Sequence, residues 1–150
     1  MTAPARLVDL AADDPAAVTA CLPVLRELRP QLGSETDVLA QLARQAAGGY
    51  RLLAAVGSGE AVLALAGWRF MENTVYGRFL YVDDLVTTAA ARGGGLGAKL
   101  IEALAARGRA AGCARLILDS GVTNSAAHRF YFNRHLTVDA LHFGRMLDPS

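Results

Sequence analysis

The chain is 150 residues long, 53% hydrophobic and 19% charged, with a formal net charge of +1. A chain of that size and apolar content reads as one domain, residues 1–150, with a core of its own, and not as a disordered segment. Near neutrality without a Lys/Arg cluster excludes the electrostatic footprint of a nucleic-acid or anionic-membrane binder.

Cys21 and Cys113 lie far apart and neither has a C-x-x-C partner, so buried free thiols are expected and a zinc site is not. The stretch Met1 to Arg6 lacks the apolar core of a signal peptide, and no apolar run approaches the length of a membrane span. Both point to a reducing cytoplasm.

In chain order, Arg6 to Leu10 reads as a short strand. Asp13-Asp14-Pro15 then announces a helix with an acidic cap and a proline at its first position. Val18, Cys21, Leu22 and Leu25 supply the apolar face of that helix; Pro23 is expected to kink it and Arg29-Pro30 to end it. Ser34-x-x-Asp37 resembles a capping box for a second helix bearing Val38, Leu39 and Leu42, which stops at Gly48-Gly49. Tyr50 to Val56 predicts a strand, Gly57 to Glu60 a hairpin turn, and Ala61 to Phe70 the returning strand, with Glu72-Asn73-Thr74 opening the next connection. Trp68 and Phe70 share one face of that strand, as core or as a pocket wall.

The strand from about Arg78 to Thr87 is apolar on both faces except at Asp83 and Asp84, which the period of two sends to opposite sides. Two adjacent acids inside a central strand are expensive unless used or paired. The glycine-rich stretch Arg92-Gly93-Gly94-Gly95-Leu96-Gly97-Ala98 follows, and from it Leu96, Leu100, Ile101, Leu104 and Ala111 recur at helical spacing up to Gly112. Such a turn into a helix is an anion cradle. Glycines let the backbone approach a ligand, the free N–H groups and the positive end of the helix dipole face it, and Arg92 adds a fixed fork.

Two cofactor families use a cradle of this kind. Gly93-x-Gly95-x-x-Ala98 satisfies the dinucleotide fingerprint, with Asp119 placed for a ribose, yet six residues separate Thr87 from Gly93 counting Thr87 itself. Too little chain also follows Asp119 for a doubly wound sheet. The spacing Arg92-x-x-Gly95-x-Gly97 instead resembles the acetyl-CoA pyrophosphate loop of the GNAT superfamily of N-acetyltransferases. Downstream, Ala114 to Asp119 reads as a buried strand and Asn124-Ser125 as a helix start. Asn124-Ser125-Ala126-Ala127-His128-Arg129-Phe130-Tyr131 resembles that superfamily's asparagine, alanine and Phe-Tyr pattern. Where the superfamily has Gly-Phe next, this chain has His135-Leu136; histidine tolerates a positive φ better than most residues, so the turn is expected to survive. Thr137 to Met146 reads as a last strand or strands.

The resemblance implies an α/β (α+β) GNAT fold: a mixed central sheet of about six to seven strands, helices on both faces, and a splayed central strand pair. It implies an acyl-CoA N-acyltransferase moving an acetyl group from acetyl-CoA to an amine by direct transfer, without a metal. Backbone groups of Leu85, Val86 and Thr87 would hold the thioester and pantetheine arm beside a bulge, and Arg92 to Ala98 the pyrophosphate, with Asn124 near the pantetheine. Tyr131 would protonate the departing thiolate, and Asp83, with Asp84 as its rival, would serve the amine. An ordinary carboxylate is a weak base toward an ammonium, so attraction of the cation is its more natural role. Glu27, Arg29 and Glu35 either face the acceptor or are solvated helix charges, and His142 is a titratable group on the last strand. The acceptor is expected to be a small molecule or a peptide amine, with no nucleic acid and no membrane as partners; a homodimer through the last strands fits the resemblance. A non-catalytic acyl-CoA-binding module is the other class these letters allow.

Overall fold

The computed structural model describes residues 4–148, which fall into two compact units divided between Leu118 and Asp119. In the first unit five strands form one sheet in the order β1-β2-β3-β4-β5: β1 (Arg6–Leu10), β2 (Arg51–Val56), β3 (Val62–Asn73), β4 (Gly77–Thr87) and β5 (Arg115–Leu118). The first four are antiparallel neighbours and β5 runs parallel to β4.

Helices α1 (Pro15–Leu28) and α2 (Glu35–Ala47) cover one face of the sheet, and α3 (Leu96–Ala110) covers the other. The Asp14 carboxylate accepts the N–H of Ala16 and the Ser34 hydroxyl that of Asp37, so both helix starts are capped by the residues their sequence signals name. Helix α1 runs through Pro23 to Leu28. Alternation along β2 divides the core: Leu52, Ala54 and Val56 pack with Val18, Leu22 and Leu25 of α1, whereas Leu53 and Ala55 pack with Leu100 and Leu104 of α3. Alanines at 55, 64 and 66 let α3 lie close on the sheet. Each fully buried leucine contributes roughly 1.5–3 kcal/mol.

Three expectations change. β3 continues to Asn73, beyond Phe70, because the Asn73 side chain itself accepts the N–H groups of Val75 and Tyr76 and closes a turn that ends on Gly77 at φ +65°. The predicted last strand, 137–146, is irregular, and the sheet has five strands among the described residues, not six or seven. A strand needs a partner ladder, and the ladders present all join strands within residues 6–118; Val138, Leu141 and Phe143 stay exposed.

The third change is at the acid pair. Gly67 pairs with Asp84 but Trp68 pairs with Val82, so β4 carries one extra residue there, a β-bulge. A bulge cancels one step of the alternation, and Asp83 and Asp84 therefore face the same side, that of α1 and α2, and not opposite sides. Opposite the bulge, the Tyr50 ring crosses Gly67 to reach Asp84, its hydroxyl donating to the Asp84 carboxylate at 2.6 Å. A methyl group on Gly67 would lie 1.9 Å from the Tyr50 oxygen and 2.5 Å from Cζ. Gly67→Ala is therefore expected to expel Tyr50 and cost about 1–3 kcal/mol, the range for overpacking, read as a lower denaturation midpoint at unchanged slope.

Candidate active site

The bulged acids form a network of charges on the α1/α2 side of the sheet. Asp84, with its side chain 12% exposed, takes Arg29 Nε on one carboxylate oxygen at 3.0 Å and the Tyr50 hydroxyl on the other. Both its oxygens are thus engaged. Arg29 donates also to the backbone carbonyl of Asp83 at 3.0 Å, which holds α1's C-terminal end against the bulge. Asp83 accepts Arg69 Nε at 3.0 Å on Oδ2. Desolvation raises the Asp83 pKa above the ordinary carboxylate value, against the opposing pull of Arg69. Burial, with Asp84 next in effect, also pushes the Tyr50 hydroxyl well above the ordinary tyrosine range, so it stays a hydrogen-bond donor.

Asp83, but not Asp84, opens onto a groove of about 460 Å³ walled by Arg69, Met71, Tyr76, Phe79 and Tyr81. Tyr76 and Phe79 meet edge to face at 5.8 Å, and the Arg115 guanidinium lies 4.9 Å from the Tyr76 ring. A cavity of about 780 Å³ lies elsewhere, bordered by Asp9, Trp68, Phe70 and Arg107; it is the larger of the two, but neither acid nor any residue of the glycine loop borders it. Asp83, which borders the smaller groove and not the larger cavity, makes the smaller groove the candidate for chemistry.

Beyond Val82 the β4–β5 ladder stops, so that Asp83 to Thr87 have no β5 partner. This is the splayed edge expected of the central pair, and Leu85, Val86 and Thr87 lie along it. On the other side these residues keep their pairing with Ala66, Leu65 and Ala64 of β3. After Thr87 the chain makes a 3-10 turn, Ala89–Ala91, and enters the glycine stretch. Gly93 and Gly95 stand at φ +86° and +82°, a conformation that costs a side chain about 1–2 kcal/mol. Gly95 is the N-cap of α3, and the first N–H of that helix to find an acceptor among the described residues is that of Lys99, on the Gly95 carbonyl. The N–H groups of Leu96, Gly97 and Ala98 therefore remain for a ligand, and the open space around Gly93 and Gly95 suits a diphosphate. Arg92 is folded back, its Nε donating to the Thr87 carbonyl at 3.2 Å.

Helix α1 also grips this loop. Glu27 accepts the Thr88 hydroxyl at 2.6 Å and the Ala89 N–H at 3.0 Å. Of the helix charges weighed as acceptor contacts, Glu27 thus holds the turn before the cradle and Arg29 holds Asp84, while Glu35 accepts from Thr19 at 2.6 Å. Tyr50, Gly67 and Arg69 are the site residues that sequence reasoning missed. A glycine directly across from an acidic pair was the one available signal, and it shows only once strand register is known.

In the second unit, α4 (Ser125–Asn133) begins with the Asn124 side chain accepting the Ala127 N–H at 3.1 Å, and Tyr131 packs edge to face with Phe130 at 5.4 Å. The helix closes as expected: His135 sits at φ +67°, its N–H on the Phe132 carbonyl and that of Leu136 on the Tyr131 carbonyl. His142 Nδ1 lies 2.6 Å from an Asp119 carboxylate oxygen.

The acetyltransferase (GNAT) family model matches residues 19–135. The chain belongs to this family. It is 34% identical over 112 residues to YhdJ of Bacillus subtilis (strain 168), an uncharacterised N-acetyltransferase, covering 75% of this chain and 78% of that one. Among solved structures it is similar to an integron cassette protein from the mobile metagenome of V. cholerae, with a TM-score of 0.80, 23% identity, and 98% and 94% of the two chains covered. It is similar also to the aminoglycoside N-acetyltransferase AAC(6')-Iy in complex with CoA, with a TM-score of 0.82, 14% identity, and 99% and 97% covered. The fold class is that of the GNAT acetyltransferases, and membership of the family sets aside the dinucleotide reading of the glycine loop.

The Glu27 contact makes a prediction. Hydrogen bonds from Thr88 and Ala89 hold the Glu27 pKa below its ordinary 4.5, so this tie is present above that pH and is lost as pH falls through the lower folded value. Glu27→Ala is expected to speed hydrogen exchange at the Ala89 amide at neutral pH; an unchanged rate would show that the turn holds itself.

Proposed function

We propose that this GNAT acetyltransferase uses acetyl-CoA as its acyl donor and transfers the acetyl group directly to a primary amine, as a single acetyltransferase domain. The observation that carries this reading is that one strand, β4, serves both partners: its end beyond the β5 ladder leads into the glycine cradle, and its bulge turns Asp83 into the groove. Donor and acceptor sites on one rigid strand meet the need of bimolecular transfer, which is to hold two reactants in line.

The chain's residues divide the work. The N–H groups of Leu96 to Ala98 and the dipole of α3 bind the diphosphate, and backbone groups of Leu85 to Thr87 hold the thioester and pantetheine arm. Asp83 draws the amine in as its ammonium; its raised pKa makes it a better proton acceptor than an ordinary aspartate. The neutral nitrogen attacks the thioester carbonyl, the C–N bond forms and the C–S bond breaks. The ammonium proton before attack and the second nitrogen proton after it leave by way of Asp83 to solvent, and the thiolate is protonated by Tyr131, the tyrosine of the motif on α4, which regains its proton from solvent. Asp84, saturated by Arg29 and Tyr50, positions the bulge.

Acetyl-CoA and CoA are each expected to raise the unfolding temperature by several degrees when present at about 100 times Kd, while NADH leaves it unchanged. Thiol release with an amine panel then tests turnover; binding without release for any amine would mark a CoA-binding module instead. Tyr131→Phe is expected to lower kcat by roughly 100-fold or more with CoA affinity kept. Asp83→Asn should act mainly on kcat/KM for the amine, and an unaffected Asp83→Asn enzyme would remove that residue from the acceptor site.

A further inference from the structure

The charges around the groove say what kind of amine fits it. Two acids on one strand suggest a polycationic acceptor, but each acid is already matched by an arginine, Asp84 by Arg29 and Asp83 by Arg69. The four groups together carry no net charge, so a polyamine gains no general attraction here. Arg69 itself borders the groove beside Asp83. Its position is fixed twice over, by Nε on Asp83 and by its guanidinium lying 5.4 Å from the Tyr50 ring. Its Nη groups have no protein acceptor among the described residues. An ammonium arriving at Asp83 therefore comes within reach of a fixed, partly buried guanidinium, which repels a bare cation and binds a carboxylate. Beyond this polar end the walls are apolar and aromatic, Met71, Tyr76, Phe79, Tyr81 and Ile117, apart from Asn73, whose Oδ1 accepts the N–H groups of Val75 and Tyr76.

We propose that the acceptor is a zwitterion, an α-amino acid with a large apolar or aromatic side chain, with its ammonium on Asp83, its carboxylate on Arg69 and its side chain along the aromatic wall. Arg69 is then the residue that sets specificity. This inference rests on the acetyltransferase reading of the same site. An α-amino acid carries its ammonium and carboxylate on one carbon, which matches two opposite charges joined by a single 3.0 Å ion pair. The groove, at about 460 Å³, is within the range of roughly 300–1,000 Å³ usual for small-molecule sites.

The test compares L-phenylalanine with L-phenylalaninamide, 2-phenylethylamine and spermidine, by thiol release from acetyl-CoA and by calorimetric binding to the CoA-loaded protein. The amide differs only at the carboxylate, and its less basic nitrogen gives it a chemical advantage at neutral pH. The free acid is nonetheless expected to exceed the amide at least 10-fold in kcat/KM and in affinity, with spermidine poorest. Arg69→Met should abolish that ratio and Arg69→Lys should keep part of it. The comparison in the wild-type protein stands even if a variant fails to fold. An amide or phenylethylamine that binds and reacts as well as the acid, or a preference for spermidine, overturns the inference and leaves the acetyltransferase reading intact. If the acid binds better than the amide but no amine releases thiol, the acceptor class holds and the catalytic reading fails. If no amine binds with any preference for the acid, the inference falls whatever the turnover.

Discussion

The architecture of the site depends on the crossing of Tyr50 over Gly67. An extra residue in β4 would by itself only weaken the ladder with β3. The tyrosine gives the bulge a fixed shape: its hydroxyl takes one oxygen of Asp84 at 2.6 Å, and its ring occupies the space where any β-carbon on Gly67 would stand. With Arg29 on the other oxygen, Asp84 has both oxygens engaged and does not turn away. Its neighbour Asp83 is left on the same face, with one oxygen on Arg69 and the groove in front of it. A buried carboxylate lacking these partners would be strongly destabilising; here the pair is neutralised and becomes a rigid floor.

The end of α1 then joins the two halves of the site. Within three residues, Glu27 holds the turn before the glycine cradle and Arg29 holds the bulge. The turn before the glycine loop and the bulged acids are thus tied to one helix as well as to one strand. That helix is anchored by Val18, Cys21, Leu22 and Leu25, which are buried against β2 and β3. Burial also pushes the Cys21 thiol up to about 11, so it packs as a small apolar side chain and not as a nucleophile.

Much of this was legible beforehand. Caps at Asp14, Ser34 and Asn124 act through side chain and neighbouring N–H, so their signals are local and each was read correctly. The glycine turn is equally local: Gly93 and Gly95 stand at positive φ within the turn that the glycine-rich stretch marked. The face of the acid pair was misread because alternation holds only while the ladder is unbroken, and the bulge at Asp83 is imposed by β3 and Tyr50, far away in the chain. The segment 137–146 was misread for the converse reason: it has strand-like letters, but a strand exists only in a ladder.

The sequence by itself therefore determined the order of elements as far as α4, the helix boundaries, the cradle at the start of α3 and, through two motifs, the family. These rest on contacts between residues a few positions apart, which a linear reading contains. Only the tertiary structure decided that Asp83 and Asp84 share a face, that Arg29 and Glu27 serve the strand and loop, and that Arg69 stands beside the acid facing the groove. Those facts depend on pairings across 14 to 62 positions of chain, and charge, size and geometry at such range are set by strand register and helix packing, which the letters do not spell out.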